Sequence, residues 1–122
     1  MRDNTRYKQE LLDRLLKFAV RIIRLANRLP KTPAGFAIAN QIVKSGTSIG
    51  ANCEEAQEAL SRKDFLKTIN ISLKEARETR YWLKVISASE LLSISLVDPE
   101  LKECVEIIAI LTSSVKTLKR NK

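Results

Sequence analysis

Apolar residues recur along the chain at intervals of three and four, the period of a helix face, and turn residues divide the pattern into four segments. The first runs over residues 5–29, with Tyr7, Leu11, Leu15, Phe18, Ile22, Leu25 and Leu29 on one face. A second row, Leu12, Leu16, Ala19, Ile23 and Ala26, lies about 100° further round, so apolar surface covers roughly half the circumference. One bundle neighbour needs less than that, which makes Leu12, Leu16 and Ile23 candidates for contact between subunits.

Pro30 disfavours helical geometry at Leu29, and Thr32-Pro33 restarts the chain as N-cap and first helical position. The second segment, 33–60, keeps Ile38, Ile42, Ser45, Ile49, Cys53, Ala56 and Leu60 in phase through Ser45 to Asn52, which holds two of the three glycines. A loop would break that phase, so the spacing predicts one helix in which Ser45, Gly46, Ser48, Gly50 and Ala51 admit a neighbouring helix closely. Ser61 with Asp64 caps a third helix, 62–90, whose core row is Phe65, Ile69, Leu73, Ala76, Leu83 and Ile86. Its Tyr81-Trp82-Leu83 cannot all point one way, and Tyr81 and Trp82 join the candidate subunit contact. Asp98-Pro99-Glu100 reads as the start of a fourth helix, 99–119, with Leu101, Cys104, Ile108, Leu111, Val115 and Leu118 as its stripe. Four amphipathic helices with short connections predict an all-α fold, a single domain over residues 1–122 forming an antiparallel up-down-up-down four-helix bundle.

Composition narrows the chemistry. The chain has no histidine, which removes the usual zinc sites and any histidine-based acid, base or triad. Cys53 and Cys104 sit in apolar helical rows and read as buried free thiols. The start, Met1 to Arg6, has no apolar signal region, and no uncharged run approaches the roughly 20 residues that span a bilayer, so a cytoplasmic protein without membrane contact is expected. Its net charge of +8 favours polyanionic partners.

The charge is organised. Arg14, Lys17, Arg21, Arg24 and Arg28 fall within about an 80° arc of the first helix, and Lys63, Lys67, Lys74 and Lys84 recur at helical spacing on the third. Nonspecific contact with phosphates is one reading of these residues, with Lys63 and Lys67 joined to the first-helix stripe as candidate nucleic-acid contacts. The other is a solvated face partly neutralised by Glu100, Glu103 and Glu106. Ser45 to Gly50 is no phosphate cradle, because the Walker pattern needs a lysine after its last glycine and a preceding strand. Glu54, Glu55, Glu58, Glu75 and Glu78 lack the Glu-x-x-His partner of dimetal bundles, so no metal is expected; Glu58 with Arg62 and Lys74 with Glu78 are candidate ion pairs.

Leu29-Pro30-Lys31-Thr32-Pro33, Ser45 to Asn52 with Glu55-Ala56, Lys63-Asp64-Phe65, and Leu73-Lys74-Glu75-Ala76 running to Tyr81-Trp82-Leu83 resemble the 23S rRNA intervening-sequence protein family of bacterial four-helix bundles. The resemblance covers about Tyr7 to Leu118. It implies a ring-like homopentamer with no established catalysis and no cofactor, similar to the accessory variability determinants of diversity-generating retroelements, which work with a reverse transcriptase and nucleic acid. The expectation is a non-enzymatic, self-associating bundle that binds nucleic acid, RNA favoured over DNA. The alternative is a scaffold or adaptor for another protein.

Overall fold

The computed structural model describes residues 4–120; the part of the Met1 to Arg6 reading that falls on residues 1–3 lies outside them. The described residues form four helices: α1 Asn4–Ala26, α2 Pro33–Ala56, α3 Arg62–Ala88 and α4 Ile94–Arg120. α1 packs on α2 and α4, and α3 packs on the same two, so α1 and α3 occupy opposite corners of an up-down bundle. No described helix is long and apolar enough to cross a membrane.

The α1–α2 reversal follows from its caps. After Ala26 the backbone tightens, with Arg28 and Leu29 donating to Leu25 and Ala26 carbonyls at 3.0 and 3.1 Å, which still buries Leu29. Thr32 is extended and its Oγ1 accepts from the Gly35 amide at 3.1 Å, while Pro33 opens α2 where no amide proton is needed. The turn folds back so closely that a Cβ on Gly35 would overlap the Pro30 carbonyl oxygen.

α2 runs unbroken through the glycine-containing stretch. It stops at Ala56 and not at Leu60: the Gln57, Glu58 and Ala59 amides turn to carbonyls three residues back, and Leu60 ends 98% exposed. The chain must reverse within those residues to place extended Ser61 as N-cap of α3, its Oγ accepting from the Asp64 amide at 3.1 Å. α3 ends in a Schellman motif, Leu91 to Ile86 and Glu90 to Ser87, with Glu90 at φ 59 where glycine is usual.

α4 departs furthest from the pattern. It begins at Ile94, so Asp98-Pro99 lies inside the helix and not at its start. Val97 is 1% exposed and must share a face with Leu101 and Cys104, which only helical spacing achieves. Pro99 forgoes one backbone bond near the exposed Ser95, where water can reach the carbonyl, and Asp98 pairs with Lys102 at 3.1 Å.

The core comprises Leu15, Phe18, Ile22, Ile42, Ile49, Leu73, Leu83, Ile86 and Leu111 among others. Ile107, absent from the predicted stripe, is fully buried, while Tyr7, placed in the predicted core row, is half exposed. A polar seam joins α2 to α3. Thr79 donates to Ser45 Oγ at 2.9 Å, and Ser72 donates to the Ile49 carbonyl at 2.7 Å and meets Cys53 Sγ at 3.2 Å. All three hydroxyls are fully buried and all are bonded, so the seam fixes the register of α2 on α3 without leaving an unpaired polar atom.

Candidate nucleic-acid interface

The basic stripe of α1 divides in two. At about 100° per residue, Arg14 and Arg21 lie on the flank that faces α4, and there they meet carboxylates. Arg14 donates through Nε and Nη2 to Glu103 at 2.7 and 2.9 Å, and through Nη2 to Glu106 at 2.8 Å. Arg21 Nε lies 2.8 Å from Glu100 Oε1, although its N–H is not aimed at that buried oxygen, which has no hydrogen bond among the described residues. The Arg14 hydrogen bond holds the Glu103 carboxyl below its usual range, and the same bond raises Arg14. These two arginines clamp the α1–α4 seam. Lys17, Arg24 and Arg28 remain exposed.

α3 carries the more continuous positive surface. Lys63, Lys67, Lys74, Arg77 and Lys84 are all exposed, fall within about a 100° arc opposite Ala76 and Leu83, and extend over roughly 32 Å of helix. None of these five forms an ion pair within 4.0 Å among the described residues. Tyr81 stands in the middle of that face, 58% exposed, held edge-on to Trp82 with ring centroids 5.2 Å apart. Trp82 is half buried and donates to Glu78 at 3.2 Å, so Glu78 is engaged by tryptophan and not by Lys74. Arg62 likewise reaches the Leu118 carbonyl at 3.3 Å in place of Glu58.

The structure therefore separates residues that the sequence reading joined. Lys63 and Lys67 share no face with the α1 stripe, because α1 and α3 are diagonal. Tyr81 and Trp82 are equally remote from Leu12, Leu16 and Ile23, which lie on the flank of α1 toward α2. Arg77, overlooked in sequence, completes the α3 stripe; its seven-residue step to Lys84 and three-residue step from Lys74 were the available signal.

The small residues of α2 also divide by neighbour. Gly46 meets Ile22 and Gly50 meets Leu15, both on α1, whereas Ser45 meets Thr79 on α3. Ser48 instead donates to the Lys44 carbonyl at 2.6 Å and Ala51 is exposed, so neither mediates close packing. The two thiols are buried and free; burial pushes both up, Cys104 to about 12. Among the described residues no group of three or more Cys, Asp or Glu side chains is placed to hold a metal ion.

The family model described as 23S rRNA-intervening sequence protein matches residues 8–113. The chain belongs to that family. A crystal structure of a protein of unknown function from the S23 ribosomal protein family of Bacteroides thetaiotaomicron is similar at 42% identity, over 87% of this chain and 98% of that one, with a TM-score of 0.82. No curated protein matches the chain. The 23S rRNA-intervening sequence match takes in parts of all four helices and every cation of the α1 and α3 stripes named above.

Proposed function

We propose that this family member is a non-enzymatic bundle that binds nucleic acid, RNA favoured, through a basic helix surface, and that the surface is the outer face of α3. The observation that carries this reading is the row Lys63, Lys67, Lys74, Arg77 and Lys84, exposed and without ion-pair partners among the described residues. Phosphates contacted by such a row release condensed counterions, which gives affinity without sequence preference. Exposed Tyr81 within the row offers one ring for an unpaired base to stack on, a contact that favours single-stranded loops of RNA over a uniform duplex. Filter binding of a structured RNA across a salt series tests it. Lys67→Glu with Arg77→Glu should weaken binding by more than tenfold and reduce the salt slope, whereas Arg21→Glu, already occupied by Glu100, should act mainly on stability. Salt-independent binding, or equal RNA affinity after charge reversal on α3, contradicts the reading.

A second property is proposed from a separate surface. Leu16, Ile23 and Phe36 are 62%, 39% and 54% exposed on neighbouring flanks of α1 and α2, an apolar strip suited to self-association. The family resemblance supports a homopentamer, which would repeat the α3 stripe around a ring and raise affinity for a long polyanion by multivalency. Light scattering at micromolar concentration should give a multiple of the 13.8 kDa chain mass, and Leu16→Glu with Ile23→Glu should return it to that value. Protein-only scaffolding becomes the better description if RNA binding fails while assembly persists.

A further inference from the structure

The α1–α4 seam, the loosest of the four, is closed at one end and open at the other. Around Arg14 it is drawn together by Glu103 and Glu106. Beyond Ile110, α4 turns Ser113, Ser114 and Thr117 toward the start of α1, and these short side chains leave the gap unfilled. α2 ends at Ala56, so nothing from it extends past Gln57 to cover the same end. The result is a cleft of about 640 Å³ reaching from solvent to the buried Cys53 and Leu111. Its volume is that of a small-molecule site.

The lining has a polarity. Leu11, Phe65, Ile69 and Leu111 make an apolar interior, and among the described residues Lys8 is the one charged side chain on the wall. The Gln57 amide and the Ser114 hydroxyl are turned back to the Cys53 and Ile110 carbonyls at 3.0 Å each, so they demand little of an occupant. Ser113 and Thr117 are exposed at the rim. We infer that the cleft binds an amphipathic monoanion, an aliphatic carboxylate of medium chain length, with its chain against Leu11, Phe65 and Ile69 and its carboxylate at Lys8. One cation answers one negative charge, and the rest of the described lining, which is uncharged, offers nothing to a second. The site lies apart from the α3 stripe and does not depend on RNA binding.

Calorimetric titration of the full chain with dodecanoate below its micellar concentration tests the assignment. The expected result is saturable binding of one molecule per chain, weakened about fivefold by Lys8→Glu and abolished by Ser113→Trp, which fills the gap from an exposed position. Dodecyltrimethylammonium should bind at least fivefold more weakly than dodecanoate to the unaltered protein. Circular dichroism melts confirm that both variants fold. Absence of saturable heat, unchanged affinity in folded Ser113→Trp, or equal binding of the cationic amphiphile would each overturn the inference.

Discussion

Gly46→Ala isolates the closeness of α1 and α2. A Cβ at residue 46 would stand 2.8 Å from Ile22 Cγ2 and 3.2 Å from both Ile22 Cβ and Cγ1. Ile22 is fully buried and β-branched, so it has essentially one rotamer in a helix and no free space to swing into. Removing a mid-helix glycine gains about 1 kcal/mol of helix propensity, whereas overpacking a core costs about 1–3 kcal/mol. Overpacking wins here, by up to about 2 kcal/mol, because every close atom belongs to the rigid part of the side chain. For a chain of this size that lowers Tm by up to about 8 °C. Gly50→Ala supplies the internal control: its nearest neighbours are Leu15 Cβ at 3.3 Å and Leu15 backbone atoms at 3.6 and 3.7 Å, so propensity prevails and stability should stay level or rise by about 0.5 kcal/mol. The assay is thermal and urea unfolding by circular dichroism at one fixed protein concentration, since assembly shifts apparent stability. In an Ile22→Ala background, which retains only the 3.2 Å Cβ contact, the penalty of Gly46→Ala should shrink or reverse. A Gly46→Ala protein that melts at or above the parent temperature would refute the close-packing argument.

Three further outcomes are expected. Glu90→Gly should raise stability by about 1 kcal/mol in urea unfolding, because Glu90 holds φ 59 and its Cβ is strained there. Ellman's reagent at pH 8 should label Cys53 and Cys104 slowly in the folded protein and rapidly in guanidinium; their raised pKa values mean a stabilising contribution that is full below pH 9.0 and declines as pH climbs toward about 12 for Cys104, visible as an alkaline fall in Tm. Glu103, whose pKa is depressed by Arg14, contributes stability that is present above pH 4.5 and lost as pH falls below it. Arg14→Ala should cost about 1 kcal/mol at neutral pH and flatten that acid limb of the stability profile.

Much of the fold was legible because its determinants are local. The phase from Ile38 to Ala56 carried α2 through two glycines, and Thr32-Pro33 and Ser61-Asp64 marked helix starts through caps that involve only near neighbours. Misreadings fell where a local signal met a distant demand. Asp98-Pro99 has the chemistry of a helix start, yet Val97 had to be buried on the face of Leu101, so the helix began at Ile94. Leu60 continued the period, but the reversal into α3 exposed it. The buried Ser72 and Thr79 were passed over because their hydroxyls gain meaning only from Ile49 and Ser45 on another helix.

The candidate interface divides along the same line. By itself the sequence determined which residues are cationic and that they repeat at helical spacing, since charge and periodicity are properties of one segment. Only the tertiary structure decided which of them are answered. Arg14 and Arg21 face the carboxylates of α4 some eighty to ninety residues away, while Lys67, Lys74 and Arg77 face solvent on the opposite corner. A charge is neutralised by what lies within a few ångströms of it, and that neighbourhood exists only once the helices have packed.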